Sequence, residues 1–317
     1  MGDSVCLVVN PSAGGGKAGR ALPEVIPALE GYGLAVRSEL TRDLDHAREL
    51  ARSAALAGET VVCLSGDGMV GAVADALREL PDALMGILPG GRGNDFARVL
   101  GIPADPLEAC ATIAGGLSRW VDLGEVDGKA FVGIASVGFD SDANRIANLA
   151  PAWLGGFVYA YGALRALLSW KPARFEVELD PPGERHSFEG YTVGACNSKT
   201  YGGGMRVAPG ALLDDGLLDV MVLENVSKTR FLTRILPKVF GGSHVEEPSV
   251  RVFRAREVSI NADRPFTMYA DGDPIGELPI RVKALRGAVR VLVPAGGAAA
   301  DAFSGDPAGS EPGAAER

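Results

Sequence analysis

The first third of the chain alternates short apolar runs with stretches that have the pattern of helices. The apolar runs predict strands at 5–9, 34–37, 61–64 and 85–88. The intervening stretches predict helices at 19–29, 45–57, 70–80 and 94–100. Strands that alternate with helices are typical of a parallel sheet with helices on both faces. The sequence therefore predicts an N-terminal α/β domain with a parallel, Rossmann-like sheet.

After about residue 121 the pattern changes to alternating apolar and polar positions, as at 175–179 and 191–196. A period of two residues is typical of half-buried antiparallel strands, so we predict a mainly antiparallel β-sandwich with a helical hairpin inserted at 153–170. We expect the α/β domain to span 1–125, with a return of about 284–294, and the β-rich domain to span 126–283. Large apolar residues are almost absent from about residue 295 onward, so 295–317 are predicted to be a disordered tail.

The composition limits the kinds of partner that the chain can bind. Its 317 residues carry a net charge of -9, which argues against nucleic-acid binding because phosphates require a concentrated basic surface. The four cysteines lie far apart without a CxxC pair, as expected for reduced, buried residues of a cytosolic protein. No signal-peptide pattern and no apolar run of membrane-spanning length is present. Any membrane contact is therefore expected to be peripheral.

Three glycine-rich loops each follow a predicted strand. They contain Asn10, Pro11, Ser12, Ala13 and Gly14; Ser65, Gly66, Asp67, Gly68 and Met69; and Gly90, Gly91, Arg92, Asn94 and Asp95. The carboxyl ends of parallel strands meet at one edge of a sheet, and glycine-rich turns that lead into helices suit phosphates. A flexible turn, a hairpin turn and a helix cap are the purely structural alternatives. The convergence of three such loops favours a nucleotide site, with the Asp67 carboxylate beside phosphate and a cation.

The first loop also fits a different class of enzyme. Gly14, Gly16 and Gly19 satisfy the GxGxxG pattern, and Glu39 lies near the position of a ribose-binding acid. A nicotinamide-dependent oxidoreductase is therefore an alternative. It explains neither the Gly-Asp-Gly loop nor two acids near the end of the chain, Asp271 and Asp273.

The three loops, in this order, resemble the diacylglycerol kinase catalytic-domain family, which includes bacterial lipid kinases and the sphingosine and ceramide kinases. The family patterns NPxxG, GGDGT and PxGTxNDFAR correspond to 10–14, 65–69 and 89–98, and the resemblance extends to about residue 293. It implies ATP and Mg²⁺ as cofactors and transfer of the γ-phosphoryl group of ATP to a lipid hydroxyl. Diacylglycerol, which would give phosphatidic acid, is the first choice of acceptor. The resemblance also assigns a nucleotide contact to Thr41.

The same resemblance assigns catalytic roles in the second half of the chain. Asp273 corresponds to the acid that takes the proton from the substrate hydroxyl, with Asp271 as a supporting acid. Asp67 would hold the nucleotide's magnesium directly or through water.

A structural magnesium site is implied as well. Its ligands would be the Asp215 carboxylate and the carbonyl groups of Leu212 and Leu217, an oxygen shell that suits a hard cation. An ordinary turn between strands is the alternative.

The chain departs from the family pattern at several positions. Ser65 replaces glycine, Met69 and Arg92 each replace threonine, and the acid at 273 is Asp rather than Glu. An Asn-Glu pair of the family is replaced by Gly71 and Ala72. Met69 removes a hydroxyl that would bind phosphate, whereas Arg92 adds a cation that can bind phosphate oxygens. Because the carboxylates remain, we interpret these changes as a re-tuned nucleotide pocket.

Two further functions remain as alternatives to a lipid kinase. A kinase with a water-soluble substrate, of the NAD kinase or phosphofructokinase type, shares a GGDG-like loop. A lipid- or nucleotide-binding protein without turnover is consistent with the substitutions at Met69, Gly71 and Ala72.

Two segments could contact a membrane. Basic and apolar residues interleave at 228–240, and Trp153, Phe157 and Tyr161 form a second candidate; ordinary core helices are the alternative. We expect a cytoplasmic protein with peripheral association at the inner face of the membrane and a lipid substrate at that surface. The sequence does not decide whether the protein forms a homodimer.

Overall fold

The computed structural model describes residues 3–115, 117–149, 158–180, 183–295 and 299–305. The first part alternates strands and helices, and its parallel strands have the order β2-β1-β3-β4. The elements are β1 (Ser4–Val9), α1 (Ala13–Gly31), β2 (Ala35–Leu40), α2 (Leu44–Leu56), β3 (Thr60–Ser65), α3 (Asp67–Leu77), β4 (Leu84–Pro89), α4 (Asp95–Val99) and α5 (Pro106–Gly115). The predicted α/β domain is confirmed.

The central strands of this sheet are covered on both faces. The side chains of β1 from Val5 onward and those of β3 are buried, which explains their uninterrupted apolar sequence. Because these strands are parallel, the loops that follow β1, β3 and β4 leave the sheet at the same edge.

The second part consists mainly of antiparallel strands. Its elements are β5 (Ser118–Val126), β6 (Lys129–Phe131), β7 (Ile134–Gly138), α6 (Phe139–Asn148), α7 (Val158–Ser169), β8 (Ala173–Asp180), β9 (Glu184–Cys196), β10 (Leu218–Glu224), β11 (Val250–Ala255), β12 (Glu257–Ala262), β13 (Thr267–Ala270), β14 (Asp273–Glu277) and β15 (Ile280–Leu292). A helical segment at 228–239 contains a π-helical turn, Phe231–Ile235, and short 3₁₀ helices lie at Ser243–Glu246 and Ala300–Ala302. This part agrees with the predicted antiparallel architecture.

Two long strands connect the sheets. The first half of β9 pairs with β8, and its second half pairs with β7 and β10. The first residues of β15 pair with β12, whereas Arg290 and Val291 pair with β4 in parallel. The sheet of the α/β part is therefore hydrogen-bonded to the antiparallel part through β15.

The helical hairpin lies earlier in the chain than predicted. Helix α6 begins directly after β7, at Phe139, and α7 ends at Ser169. Asp140 and Asp142 in the first turn of α6 favour a helix start there. Trp153 and Phe157 lie outside the described residues. In the part of the chain that the structure describes, no helix is both long and apolar enough to cross a membrane.

The prediction of a disordered tail from residue 295 is wrong for 299–305. Ala302 and Phe303 are buried, and the Arg119 guanidinium lies 4.1 Å from the centre of the Phe303 ring. The Leu213 amide donates a hydrogen bond to the Ala302 carbonyl (2.8 Å). Composition missed this segment because one aromatic ring and a few backbone hydrogen bonds are enough to attach it. Residues 306–317 lie outside the described part.

Candidate active site

The three glycine-rich loops are in direct contact. A Cβ on Gly14 would lie 2.4 Å from the Gly90 carbonyl oxygen, and a Cβ on Gly91 would lie 2.4 Å from the Gly66 Cα. A Cβ on Gly90 would lie 2.8 Å from that of Ala18. These approaches are too close for any side chain, so the glycines are what allow the loops to form one continuous surface.

The first loop is fixed by its own hydrogen bonds. The Asn10 carboxamide oxygen accepts from the Ser12 amide (3.1 Å) and hydroxyl (2.8 Å), and the Ala13 amide donates to the Asn10 carbonyl (3.1 Å). Pro11 packs so closely on the helix that a Cβ on Gly19 would lie 2.9 Å from its carbonyl oxygen. Gly14 and the next two glycines have φ angles of 60°, 69° and 85°. Consecutive residues of this conformation form a turn before the regular part of α1.

Thr41 and Met69 touch each other at the edge of this surface. The Thr41 hydroxyl donates to the Met69 sulfur (3.7 Å), and Met69 is buried. The thioether therefore occupies space beside the residue that the resemblance assigns to the nucleotide. Arg92 is exposed, and its guanidinium has no hydrogen-bond or ion-pair partner among the described residues.

Asp67 begins α3 and faces the third loop. One carboxylate oxygen accepts from the Phe96 amide (3.0 Å), and the other lies 3.1 Å from where a Cβ on Gly93 would be. Burial raises the pKa of Asp67 above its usual value. Gly66, which precedes the helix, and Gly68, which follows Asp67, add no side chain of their own beside this carboxylate, and the Asp95 carboxylate lies close to it.

The third loop reaches into the second part of the molecule. One Asp95 carboxylate oxygen accepts from the Gly203 amide (2.7 Å), and the other pairs with Arg98. Asn94 bonds back to its own loop through the Gly91 amide (2.8 Å), and its side chain does not cap α4. Asp95 is therefore a link between the two parts of the protein, a role that the sequence did not reveal.

Asp271 lies in a tight hairpin turn between β13 and β14. Its φ is 50°, and that of Gly272 is 99°. Its carboxylate accepts from the Val132 amide (2.8 Å) and the Gly133 amide (2.9 Å). Gly71 makes room for it, because a Cβ there would lie 2.9 Å from a carboxylate oxygen of Asp271. Burial, together with the charge of Asp67, raises the pKa of Asp271 to about 7.

Asp273 follows this turn and is more accessible to solvent. One of its carboxylate oxygens lies 3.0 Å from where a Cβ on Gly68 would be, so the carboxylate reaches the start of α3 beside Asp67. Partial desolvation raises the pKa of Asp273, and the nearby charge of Arg48 acts in the opposite direction. The structure thus brings Asp67, Asp271 and Asp273 to one place.

The segment proposed for a structural magnesium lies elsewhere. Asp215 forms an ion pair with Arg254, and its other oxygen accepts from the Leu217 amide (2.9 Å). Asp122, which the sequence reading missed, accepts from the Gly216 and Gly287 amides. Within the described ranges no three acidic, histidine or cysteine side chains converge on a metal-sized position. The predicted ligand set at Leu212, Asp215 and Leu217 contains a single carboxylate, which is paired with Arg254, and a structural magnesium there stays a prediction.

Asp67 is better suited to hold the magnesium ion that binds together with the nucleotide. A magnesium ion that binds with nucleotide needs only one or two protein carboxylates, because phosphate oxygens and water supply the other ligands. One carboxylate oxygen of Asp67 accepts from the Phe96 amide, and the other lies beside Gly93 of the third glycine loop.

A cavity of about 160 Å³ extends from these carboxylates into the second part of the molecule. Asp67, Asp95 and Asp271 line one end. The remaining wall is largely apolar and includes Phe139, Met221, Phe231, Ile235, Val239 and Val250. It also contains five polar side chains to which the sequence assigned no role, Asp140, Thr192, Thr200, Tyr201 and His244.

Glu39, the acid on which the oxidoreductase alternative depended, lies on exposed β2 and pairs with Arg37 (2.9 Å). The Glu39 carboxylate therefore forms an ion pair on the edge strand β2 and does not point to the glycine loops.

Two protein families match the chain. The diacylglycerol kinase catalytic domain matches residues 4–126. The YegS C-terminal NAD kinase beta sandwich-like domain matches residues 133–293. The two matches together include all three glycine loops and the Asp271 hairpin.

Curated relatives match over nearly their whole length. A diacylglycerol kinase of Mycobacterium tuberculosis (strain ATCC 25618 / H37Rv) is 35% identical over 301 residues, which cover 92% of this chain and 95% of the relative. A diacylglycerol kinase of Bacillus subtilis (strain 168) is 28% identical over 292 residues, covering 91% and 95%. Among solved structures, a diacylglycerol kinase from Bacillus anthracis str. Sterne has a TM-score of 0.73 at 22% identity, covering 92% of this chain and 97% of that one. This last similarity concerns the fold alone.

The catalytic-domain match and the full-length relatives define the chain as a kinase, whose α/β domain carries the converging glycine loops. The chain belongs to the diacylglycerol kinase and YegS-like lipid kinase family. The resemblance drawn from its sequence motifs is confirmed.

Proposed function

We propose that this protein transfers the γ-phosphoryl group of ATP to the hydroxyl of a membrane lipid. Diacylglycerol is the first acceptor to test, because relatives that match nearly the whole chain carry that name. The cavity is the observation that supports this proposal most strongly. It joins the carboxylates of Asp67 and Asp271 to an apolar interior, so a lipid can place its hydroxyl at one end and its chain at the other.

In this proposal, Asp273 is the general base. It accepts the proton of the lipid hydroxyl while the hydroxyl oxygen forms a bond to the γ-phosphorus of ATP, and the bond from that phosphorus to the bridging oxygen breaks to release ADP. Asp271 is a positioning residue for Asp273. Its hydrogen bonds to the Val132 and Gly133 amides hold the hairpin that presents Asp273.

The nucleotide would lie on the three glycine loops. Backbone amides of the first loop and of the segment from Gly90 would face its phosphates, and Arg92 would add a positive charge. Asp67 would hold the Mg²⁺ of the nucleotide, which supplies neutralisation of phosphate charge when bound. Thr41 and Met69 would contact the nucleotide at the edge of the surface.

The test is transfer of labelled phosphate from ATP and magnesium into mixed micelles of diacylglycerol, monoacylglycerol, ceramide, sphingosine or undecaprenol. We expect label in at least one lipid, and a rate lower by roughly a hundredfold or more for Asp67→Asn. Asn keeps an oxygen for the Phe96 amide, which makes this variant a conservative one. ATP binding without label in any lipid would instead favour a soluble acceptor or a binding protein.

The lipid would reach the cavity from a membrane. Several large apolar side chains that are exposed, Leu164, Leu168, Leu232 and Phe240, lie on α7 and on the segment at 228–240. These two elements are in contact, because the Lys228 ammonium group donates to the Leu168 carbonyl (2.8 Å). Their inner faces line the cavity, and exposed Arg234 suits an anionic surface, whereas Arg230 is paired with Glu247.

Sedimentation with vesicles tests this membrane contact. We expect Leu232→Glu to weaken binding to vesicles that contain anionic phospholipid, because the substitution places a charge in the apolar interface. Leu56→Glu is the matched control, since Leu56 is exposed on α2. Equal losses for both variants would contradict the proposed membrane face.

A further inference from the structure

The segment at 228–240 lies between the cavity and an exposed apolar surface. Phe231, Ile235 and Val239 line the cavity on one side of the segment. Leu232 and Phe240 are exposed on its other side. A lipid that arrives at this exposed surface therefore meets the segment before it reaches the cavity.

Three basic side chains follow one another along this segment at intervals of four residues. They are Arg230, Arg234 and Lys238. Side chains four residues apart lie on the same side of a helix, so the three form one basic row. The row includes the π-helical turn Phe231–Ile235, and helical turns of this kind are frequent at functional sites.

Glu247 binds both ends of the basic row. Its carboxylate oxygens contact the Lys238 ammonium group (2.5 Å) and the Arg230 guanidinium group (3.2 Å). The Glu247 side chain is buried, and the hydrogen bonds from these two groups lower its pKa, so the carboxylate is ionised at neutral pH. Because Glu247 lies just before β11, this contact ties both ends of the segment to the antiparallel part.

Another anion can take the place of Glu247 in these two ion pairs. The Arg230 and Lys238 side chains are 46% and 37% exposed. Ion pairs of partly exposed side chains add little to stability, because water already solvates the charged groups. Phosphate oxygens bind Arg and Lys as carboxylate oxygens do, and an anionic membrane surface attracts basic side chains. Phospholipid at the exposed surface can therefore compete with Glu247 for the same two cations.

We propose that the basic row binds the phosphate group of an anionic phospholipid in place of Glu247. The exchange releases the segment at 228–240 and opens the cavity to the acceptor lipid. This inference rests on the proposed lipid kinase function and adds a second lipid, which activates the enzyme without being phosphorylated. Without that lipid, Glu247 keeps the segment over the cavity and turnover is slow.

The test measures transfer to diacylglycerol, or to whichever lipid of the panel takes label, at a fixed mole fraction in mixed micelles. The added lipid is either phosphatidylcholine or phosphatidylmethanol, an anionic phospholipid without a hydroxyl of its own. We expect wild-type kcat/KM to be about tenfold higher with phosphatidylmethanol. Glu247→Gln should raise the rate with phosphatidylcholine and reduce this ratio to about twofold or less. Glu246→Gln, at the exposed neighbouring residue, is the matched control and should keep the wild-type ratio.

The direction of the change separates release of the segment from simple attraction to the membrane. If the basic row only attracted the enzyme to anionic surfaces, removal of the Glu247 charge would increase the ratio. An unchanged or increased ratio in Glu247→Gln therefore overturns the inference and leaves the lipid kinase intact. Lys238→Gln breaks the same contact from the other side, should also raise the rate with phosphatidylcholine, and serves if Glu247→Gln does not fold. Activation by inorganic phosphate alone would overturn the role of a phospholipid.

Sedimentation with vesicles tests the phosphate site without turnover. Glu247→Gln should bind phosphatidylmethanol vesicles at a severalfold lower lipid concentration than Glu246→Gln, because its basic row is free of the competing carboxylate. Equal binding of the two variants overturns the site, whether or not any lipid accepts phosphate. Absence of transfer to every lipid overturns the proposed function and, with it, the opening of the cavity to an acceptor.

Discussion

Asp271 and Asp273 are separated by one glycine, yet their surroundings suit different tasks. The Asp271 carboxylate is occupied by two backbone amides and holds the hairpin. Among the residues that the structure describes, no backbone amide donates to the Asp273 carboxylate, which is exposed to solvent and lies against Gly68. Because a general base must be free to accept a proton, we propose Asp273 as the base and Asp271 as the positioning residue.

Replacing the base should stop phosphoryl transfer without unfolding the protein. We expect Asp273→Asn to lower kcat by roughly 10²–10⁴-fold, the usual contribution of general base catalysis, while ATP affinity is retained. Steady-state kinetics and calorimetric titration with ATP measure the two effects. Glu277→Gln, on the same strand, is the control and should be as active as the wild type. Full activity of Asp273→Asn would exclude Asp273 as the base.

The raised pKa of Asp271 has a consequence for stability. Because the folded protein holds this proton up to about pH 7 and the unfolded chain releases it near pH 3.8, the contribution of Asp271 to stability is largest below pH 4. It should fall by up to about 1.4 kcal/mol per pH unit as pH rises, and level off above about pH 7. Denaturant unfolding of wild type and Asp271→Asn across this range measures the difference. The two curves should converge or cross as pH rises, whereas exposed Glu49→Gln should run parallel to the wild type.

At the scale of elements, the nucleotide surface depends on glycine contacts between loops. Gly14 and Gly15 have similar φ angles, 60° and 69°, but only Gly14 touches another loop. The strain of a side chain at positive φ, about 1–2 kcal/mol, is therefore common to both positions. The contact with the Gly90 carbonyl is what distinguishes them.

This pair of glycines gives a matched test. We expect Gly14→Ala to lower ATP affinity at least about tenfold and to destabilise the protein more than Gly15→Ala, because the added methyl group would push the first loop away from the Gly90 carbonyl. Calorimetric titration with ATP and thermal unfolding measure both effects. Equal behaviour of the two variants would show that contact between these loops is unimportant for nucleotide binding.

Some of these elements could be predicted from the sequence alone, whereas the contacts between them could not. The strands of the α/β part and the meeting of three loops could be predicted, because the apolar runs are long and parallel strands end at one edge. Asp271 and Asp273 were found through the family resemblance, and the hairpin that carries them was not predicted. The partners of these residues, such as Gly203 for Asp95 and Val132 for Asp271, lie more than 100 residues away, and no local pattern reveals them.

The polar side chains of the cavity wall were missed for the same reason. Thr192, Tyr201 and His244 become neighbours only through tertiary packing. Asp140 did have a usable local signal, since it follows a buried strand and a glycine, Gly138, just as Asp67 follows β3 and Gly66.

At the scale of the whole molecule, the segment at 299–305 contacts both the α/β part and the antiparallel part. Ala302 binds the backbone at Leu213, and Phe303 is buried in the core of the α/β part. Asp301 pairs with Lys199, whose ammonium group also binds the Asp301 carbonyl. The segment therefore holds the loop that contains Asp214 and Asp215 against the first part.

Removal of this segment should destabilise the protein. We expect a chain that ends at Ala295 to lose about 2–3 kcal/mol of unfolding free energy, the effect of exposing the Phe303 site and its surroundings. A chain that ends at Gly305 keeps every contact described here and is the control. Urea unfolding of the two chains measures the difference, and equal midpoints would contradict the role of the segment.

The central claim is that a lipid chain occupies the cavity while its hydroxyl meets the catalytic carboxylates. The most direct measurement is photo-cross-linking with a diacylglycerol that carries a diazirine in its acyl chain, followed by mass-spectrometric mapping of the labelled residues. We expect adducts on the cavity residues Met205, Met221 and Phe231, and their loss when excess unlabelled diacylglycerol competes. Labelling restricted to the outer surface, unaffected by competition, would contradict the account.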